Sequence, residues 1–106
     1  MSPQLQANLR GLQLPKGWSV TSLISGPHKG WGHAHGAAVD ISGPKNPDSW
    51  NFLIQQIKSG AWAEIGSNRE VSNNPALQKL ARESNTVLFY DHGTGFHIHL
   101  QAFGRL

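Results

Sequence analysis

The stretch TVLFYDHGTGFHIHLQAF, residues 86–103, decides how the fold is read. Its two ends are TVLFY at 86–90, rich in β-branched and aromatic residues, and HIHLQAF at 97–103, which alternates between polar and apolar side chains up to Ala102. The glycines of Gly93-Thr94-Gly95 between them are turn residues, so the stretch reads as two strands joined in a hairpin. Side chains alternate across a strand, which puts His97, His99 and Gln101 on one face of the last strand and Ile98, Leu100 and Ala102 on the other. One face is apolar, and the other aims two imidazoles into a polar cleft.

Working outward, AAVDIS at 37–42 alternates in the same way, with Val39 and Ile41 on one face and Ala38, Asp40 and Ser42 on the other. WSVTSLIS at 18–25, bounded by Gly17 and Gly26-Pro27, reads as a further strand, and a glycine-rich loop runs from Gly26 to Gly36. From Pro47 to Ser59, Trp50, Leu53, Ile54 and Ile57 recur at helical spacing, with Asn46 as N-cap and Gly60 as terminator. AWAEI at 61–65 is a short strand, and Asn74-Pro75 opens a helix carrying Leu77, Leu80 and Ala81. Leu5, Leu9 and Leu12 predict a short N-terminal helix ending near Pro15 and Gly17. Helices mixed with hairpin-connected strands indicate an α+β domain spanning 1–106, with a small antiparallel β-sheet and flanking helices.

Composition narrows the function classes. Apolar residues make up 38% and charged residues 14% of the 106, with no low-complexity run, which fits a folded globular chain. No apolar stretch is long enough for membrane insertion, and MSPQLQANLR lacks the apolar core of a signal peptide. Action outside the cytoplasm then requires another route of delivery. Cysteine is absent, which excludes disulfides, thiolate catalysis and cysteine-based zinc fingers and leaves His, Asp and Glu as the strong metal ligands. The net charge of +3 suits an anionic polymer such as nucleic acid or bacterial cell wall, but the nine Lys and Arg form no basic stripe, so nucleic acid is not expected as a partner.

All six histidines fall in two windows, 28–35 and 92–99. The first runs HKGWGHAHGAAVD to Asp40 and the second DHGTGFHIHL from Asp91. Imidazole and carboxylate without thiolate form a set suited to zinc. His33 ends the glycine-rich loop and Asp40 follows on a strand, so the chain can offer both side chains to one ion. If that strand lies beside the last one, three ligands converge and a fourth tetrahedral position stays open for water, the mark of a catalytic zinc site.

His33-Ala34-His35-Gly36-Ala37-Ala38-Val39-Asp40 resembles the H-x-x-G-x-A-x-D motif of the D-alanyl-D-alanine metallopeptidases. His97-Ile98-His99 resembles the H-x-H motif of the wider LAS-type zinc peptidase superfamily, which includes lysostaphin-type endopeptidases and penicillin-insensitive murein endopeptidase. TSLISG, before the first motif, is similar to the strand that leads into it in that family, and the likeness is anchored on Ser22–Ser42 and Val87–Leu100. The resemblance implies a hedgehog or D,D-peptidase type of fold and one Zn2+ per chain held by His33, Asp40 and His99, with His97 beside them in catalysis. It also implies cleavage of peptide bonds in peptidoglycan, by endopeptidase or carboxypeptidase action. Many D-alanyl-D-alanine peptidases have an Arg just after a Ser-Gly pair, where this chain has Pro27-His28-Lys29, so His28 or Lys29 would substitute. Phe96 stands where they place a general-base Glu, which shifts the expected mechanism toward the lysostaphin and murein endopeptidase pattern, with His97 as the nearest base and His28 or His92 beside the oxyanion.

Of the remaining residues, Trp31, between Gly30 and Gly32, suits a substrate wall, and His35 lines the cleft or faces solvent. Asp91 and His92 precede the turn, a place where Asp commonly makes local hydrogen bonds. Glu64 is a further possible base, and Trp18, Trp50 and Trp62 belong to the core. Two other functions fit parts of the pattern. One is a noncatalytic cell-wall or tail-associated binding module stabilised by metal. The other is a cupin-like metal enzyme, for which the Glu that should follow the HAH of His33–His35 is missing.

Overall fold

In this structure, a computed structural model, residues 3–22 and 38–103 are described. Five strands form one mixed sheet in the order β1-β2-β5-β3-β4: β1 Ser19–Ser22, β2 Ala38–Ser42, β3 Trp62–Ser67, β4 Val87–Tyr90 and β5 His97–Ala102. Four helices accompany them: α1 Pro3–Arg10, α2 Pro47–Ser59, α3 Arg69–Ser72 and α4 Pro75–Glu83. The α+β class therefore holds, but the sheet is not antiparallel throughout.

The hairpin expected between residues 86–90 and 97–103 does not form. β5 pairs antiparallel with β2 on one side and with β3 on the other, whereas β4 lies beyond β3 and pairs with it in parallel. Two constraints account for this. Ile98 and Leu100 are fully buried on one face of β5 while His97 and Gln101 are each only 8% exposed on the other, so neither backbone edge of this strand can rely on water and both must be paired. Strands β3 and β4 are separated by α3 and α4, and a helical crossover is the connection that parallel neighbours need. β4 can then be an edge strand, and the exposed Val87 and Tyr90 suit that place.

The core lies on the Val39, Ile41, Ile98, Leu100, Ile65 and Leu88 face of the sheet, where it joins Leu53 and Ile57 of α2, Leu77 and Ala81 of α4, and Leu5 of α1. α2 forms as its periodicity predicts. Asn46 accepts a hydrogen bond from the Ser49 amide at 2.9 Å while the Ser49 hydroxyl receives one from the Asn46 amide at 2.9 Å, and Gly60 closes the helix at φ 69°. α4 begins on the Asn74 cap and Pro75 as expected. α1 ends at Arg10, before Leu12, although Leu9 and Leu12 still pack on the core. No helix among the described residues is long and apolar enough to cross a membrane.

One contact group ties the core to the opposite, polar face. The Trp18 indole lies over Gly43, where a Cβ would come within 2.5 Å of the ring, and meets Phe96 edge-on at 5.7 Å. The Gly43 amide donates to the Phe96 carbonyl at 3.3 Å, so the end of β2 and the start of β5 are held as one unit. Replacing Asn46 with Ala should leave this arrangement intact but cost about 1 kcal/mol through loss of the reciprocal cap, read as a lowered urea midpoint with unchanged slope.

Candidate metal centre

The polar face of the sheet is assembled by register. Asp40 on β2 lies directly opposite His99 on β5, and Gly66 on β3 flanks His99 from the other side. The alternation of AAVDIS already turned Asp40 away from the buried Val39 and Ile41, and pairing with β5 sets it against the imidazole. His99 Nδ1 is 2.8 Å from Asp40 Oδ1, and its Nε2 is 3.5 Å from Gln101 Oε1. Burial of the ring disfavours its charged form. The hydrogen bond and charge of Asp40, followed by Gln101 and the charge of Asp91, outweigh that cost and hold the His99 pKa above its ordinary 6.5.

A third group, the second carboxylate, arrives from the β4–β5 connection. One ligand atom from each of Asp40, Asp91 and His99 lies within 4.8 Å of the other two. To share one ion these three atoms would have to draw closer, with the cation replacing the proton between Asp40 and His99. One imidazole nitrogen with two carboxylates is a donor set that zinc accepts. The half-buried surroundings supply a shaped wall: Phe89 meets the His99 ring edge-on at 5.7 Å, and Gly66 makes this approach possible. A Cβ on Gly66 would fall 2.5 Å from Phe89 Cζ and 2.9 Å from Asp91 Cβ.

Beside this cluster is a cavity of about 220 Å3 lined by Thr21, Asp40, Ser42, Asp91, His92, Gly93, Thr94 and His97. His97 and His99 share the polar face as the alternation predicts, yet their surroundings differ. His97 Nε2 is 2.8 Å from the Asp91 carbonyl oxygen and Nδ1 is 3.2 Å from that of Gly95, so both nitrogens are turned to the loop. His92 stands exposed on the rim, with its Nδ1 3.3 Å from Tyr90 Oη, and the Arg69 guanidinium covers the Tyr90 ring at 4.2 Å. Glu64 faces Gln101 across the β3–β5 ladder and is not among the cavity-lining residues. Trp18 and Trp62 are core, and Trp50 is half-buried, packed against the core while lining a separate hollow with Lys45, Asn46, Pro47 and Asn51.

The structure thus brings Asp40 and His99 together, with His97 and His92 around the same cavity. The expected ligand His33, and His28, Trp31 and His35, lie outside the described residues. The sequence places Asp91 just before the turn without assigning it to the metal, and its place in the cluster is what the structure adds. The available signal was an acidic residue at the end of a strand, next to a glycine-rich connection that leads straight into H-x-H. Comparison with protein-family models, with curated proteins and with solved structures found no match to this chain. The fold and site define a compact α+β domain with a potential Asp/Asp/His metal centre on one sheet face.

Two outcomes follow. Gly66→Ala should push Phe89 and Asp91 outward, costing about 1–3 kcal/mol in thermal or urea unfolding and weakening zinc binding in calorimetric titration. In metal-free protein, a histidine with a raised folded-state pKa stabilises the fold fully below its unfolded value near 6.5 and loses that contribution as pH rises through the raised value. The stability gap between wild type and Asp40→Asn should accordingly be widest on the acid side and narrow upward. Zinc affinity should run the other way and weaken as pH falls, because the proton competes for His99.

Proposed function

We propose that this chain is a zinc-dependent peptidase that hydrolyses peptide bonds of bacterial peptidoglycan. The observation that carries the reading is the convergence of Asp40, His99 and Asp91 beside a polar cavity that Asp40 and Asp91 line, with Asp40 and His99 brought face to face by the β2–β5 register. Both belong to the two motifs that resemble the LAS-type peptidases, and that resemblance names His33 as the third ligand, with Asp91 beside the ion, so that a fourth position would stay free for water. When bound, zinc polarises a substrate carbonyl and lowers the pKa of a coordinated water toward neutrality.

On this reading the protein's own groups have distinct tasks. Asp40 and His99 would hold the ion at the centre of the sheet, and Phe89 covers one side of the His99 ring. Thr21, Ser42 and Thr94, which line the cavity, would offer hydroxyls to an extended peptide, and His92, also in its lining, would donate to the developing oxyanion. The net charge of +3 favours encounter with the anionic wall polymer. His28, Trp31 and His35 complete the substrate side on the strength of the resemblance alone.

A second reading, a noncatalytic wall-binding module with the metal as a cross-link, is favoured by one feature. The general-base Glu expected three residues before His99 is Phe96, which is buried against Trp18. Mixing zinc-loaded protein with purified sacculi separates the two readings. The peptidase releases muropeptides whose masses identify the bond cut, whereas the binding module cosediments without release. Elemental analysis should find about one zinc per chain, removable by a chelator, and His99→Ala should lower zinc affinity and hydrolysis together.

A further inference from the structure

His97 occupies the position that the resemblance reserves for proton transfer, but its contacts describe another task. Its Nε2 lies 2.8 Å from the Asp91 carbonyl oxygen and 3.3 Å from Asp91 Oδ2. A carbonyl oxygen can only accept, and each ring nitrogen faces one, so the ring proton is assigned to the closer contact, from Nε2 to Asp91. The ring's other nitrogen faces the Gly95 carbonyl oxygen at 3.2 Å, and Gly93 lies flat against the imidazole, where a Cβ would sit 2.9 Å from Cε1. The backbone on both sides of the ring is held as well. The His97 amide donates to Asn68 Oδ1 at 3.1 Å, the His97 carbonyl accepts from the Ser67 hydroxyl at 2.6 Å, and Asn68 Nδ2 donates to the Gly95 carbonyl at 2.9 Å. The Asp91 amide in turn donates to Ser67 O at 2.9 Å. The imidazole is the centre around which the connection from Asp91 to Phe96 is wound, and it is only 8% exposed.

We infer that His97 is a positioning residue for Asp91: its Nε2–H grips the Asp91 backbone and one carboxylate oxygen, so that the Asp91 carboxylate stays beside Asp40 and His99 as part of the metal site. The inference rests on the reading of that cluster as a metal centre. A carboxylate on a connection between strands has more freedom than one on a central strand such as Asp40, and its ligand geometry depends on the hydrogen bonds behind it. The ring's donor is turned to Asp91 and its second nitrogen to Gly95, so neither is turned to the substrate space of the cavity.

A glutamine at position 97 keeps an N–H donor at about the reach of Nε2 but cannot relay a proton as imidazole does, whereas phenylalanine keeps the ring's bulk and loses the donor. For His97→Phe, zinc affinity by calorimetric titration should fall by roughly 10–100-fold, the usual effect of removing a hydrogen-bond partner behind a ligand. His97→Gln should restore most of that loss and should hydrolyse sacculi within about tenfold of wild type, since a lost proton-transfer group would cost at least about a hundredfold. Combined with Asp91→Asn, His97→Phe should add little further loss of zinc affinity, because both changes remove the same arm of the site. Thermal melts confirm that each variant is folded, and amide exchange across residues 91–96 in the zinc-free protein should quicken in His97→Phe and recover in His97→Gln. Unchanged zinc affinity in His97→Phe overturns the inference. So does a His97→Gln variant that binds zinc normally yet hydrolyses a hundredfold more slowly, or a full additive loss in the Asp91→Asn background. Wild-type protein that binds zinc but releases no muropeptide rejects the peptidase reading while the affinity cycle still decides the role of His97, and wild-type protein that takes up no zinc overturns both.

Discussion

Because both faces of β5 are covered, its backbone must find hydrogen-bond partners on both edges, and this constraint organises the polar face of the sheet. Pairing with β2 places Asp40 against His99, and pairing with β3 places Gly66 on the other flank of the same imidazole. A one-residue slip in the β2–β5 register would turn Val39 or Ile41 toward the cavity and bury Asp40 in the core, at a cost no partner there could offset. The register that saves the core is therefore the one that builds the Asp40–His99 pair. Stability and the candidate site are written into the same ladder.

The remaining half of the site depends on packing rather than on strand pairing. Trp18 covers Gly43 and meets Phe96, which fixes how the last connection enters β5. Asn68, just past β3, clamps Gly95 and the His97 amide, and the His97 ring fills the space inside the connection. Gly66 and Gly93 serve this arrangement through the side chains they lack, since Phe89 and His97 occupy the volume that a Cβ would claim. The result is a carboxylate, Asp91, carried to the centre of the sheet by chain that belongs to no strand. The raised His99 pKa follows from this convergence of negative charge on a half-buried ring, in which Asp40 outweighs the desolvation that acts against it.

Elements governed by near neighbours were legible in the chain itself. The spacing of Trp50, Leu53, Ile54 and Ile57 between an Asn cap and a terminal Gly defines α2, and the alternation in AAVDIS and HIHLQA puts Asp40, His97 and His99 on polar faces, because helix and strand periodicities are local properties of the backbone. Turn chemistry at Gly93–Gly95 was equally visible, but a turn does not say which strands it joins side by side. The helix between residues 61–65 and 86–90 was the competing signal: a strand, a helix and a strand call for a parallel pair, and that pair displaces the hairpin. By itself, then, the sequence determined the α+β class, the helices α2 and α4, and the polar-face placement of Asp40 and His99, which the β2–β5 register then set opposite each other. The tertiary structure alone decided that β5 is central, that Asp91 joins them, and that His97 turns to the loop instead of the open cavity. These depend on contacts such as Asn68 to His97 and Gly66 to Phe89, between residues far apart in the chain, where local periodicity carries no information and the outcome is set by which packing leaves the fewest buried groups unpaired.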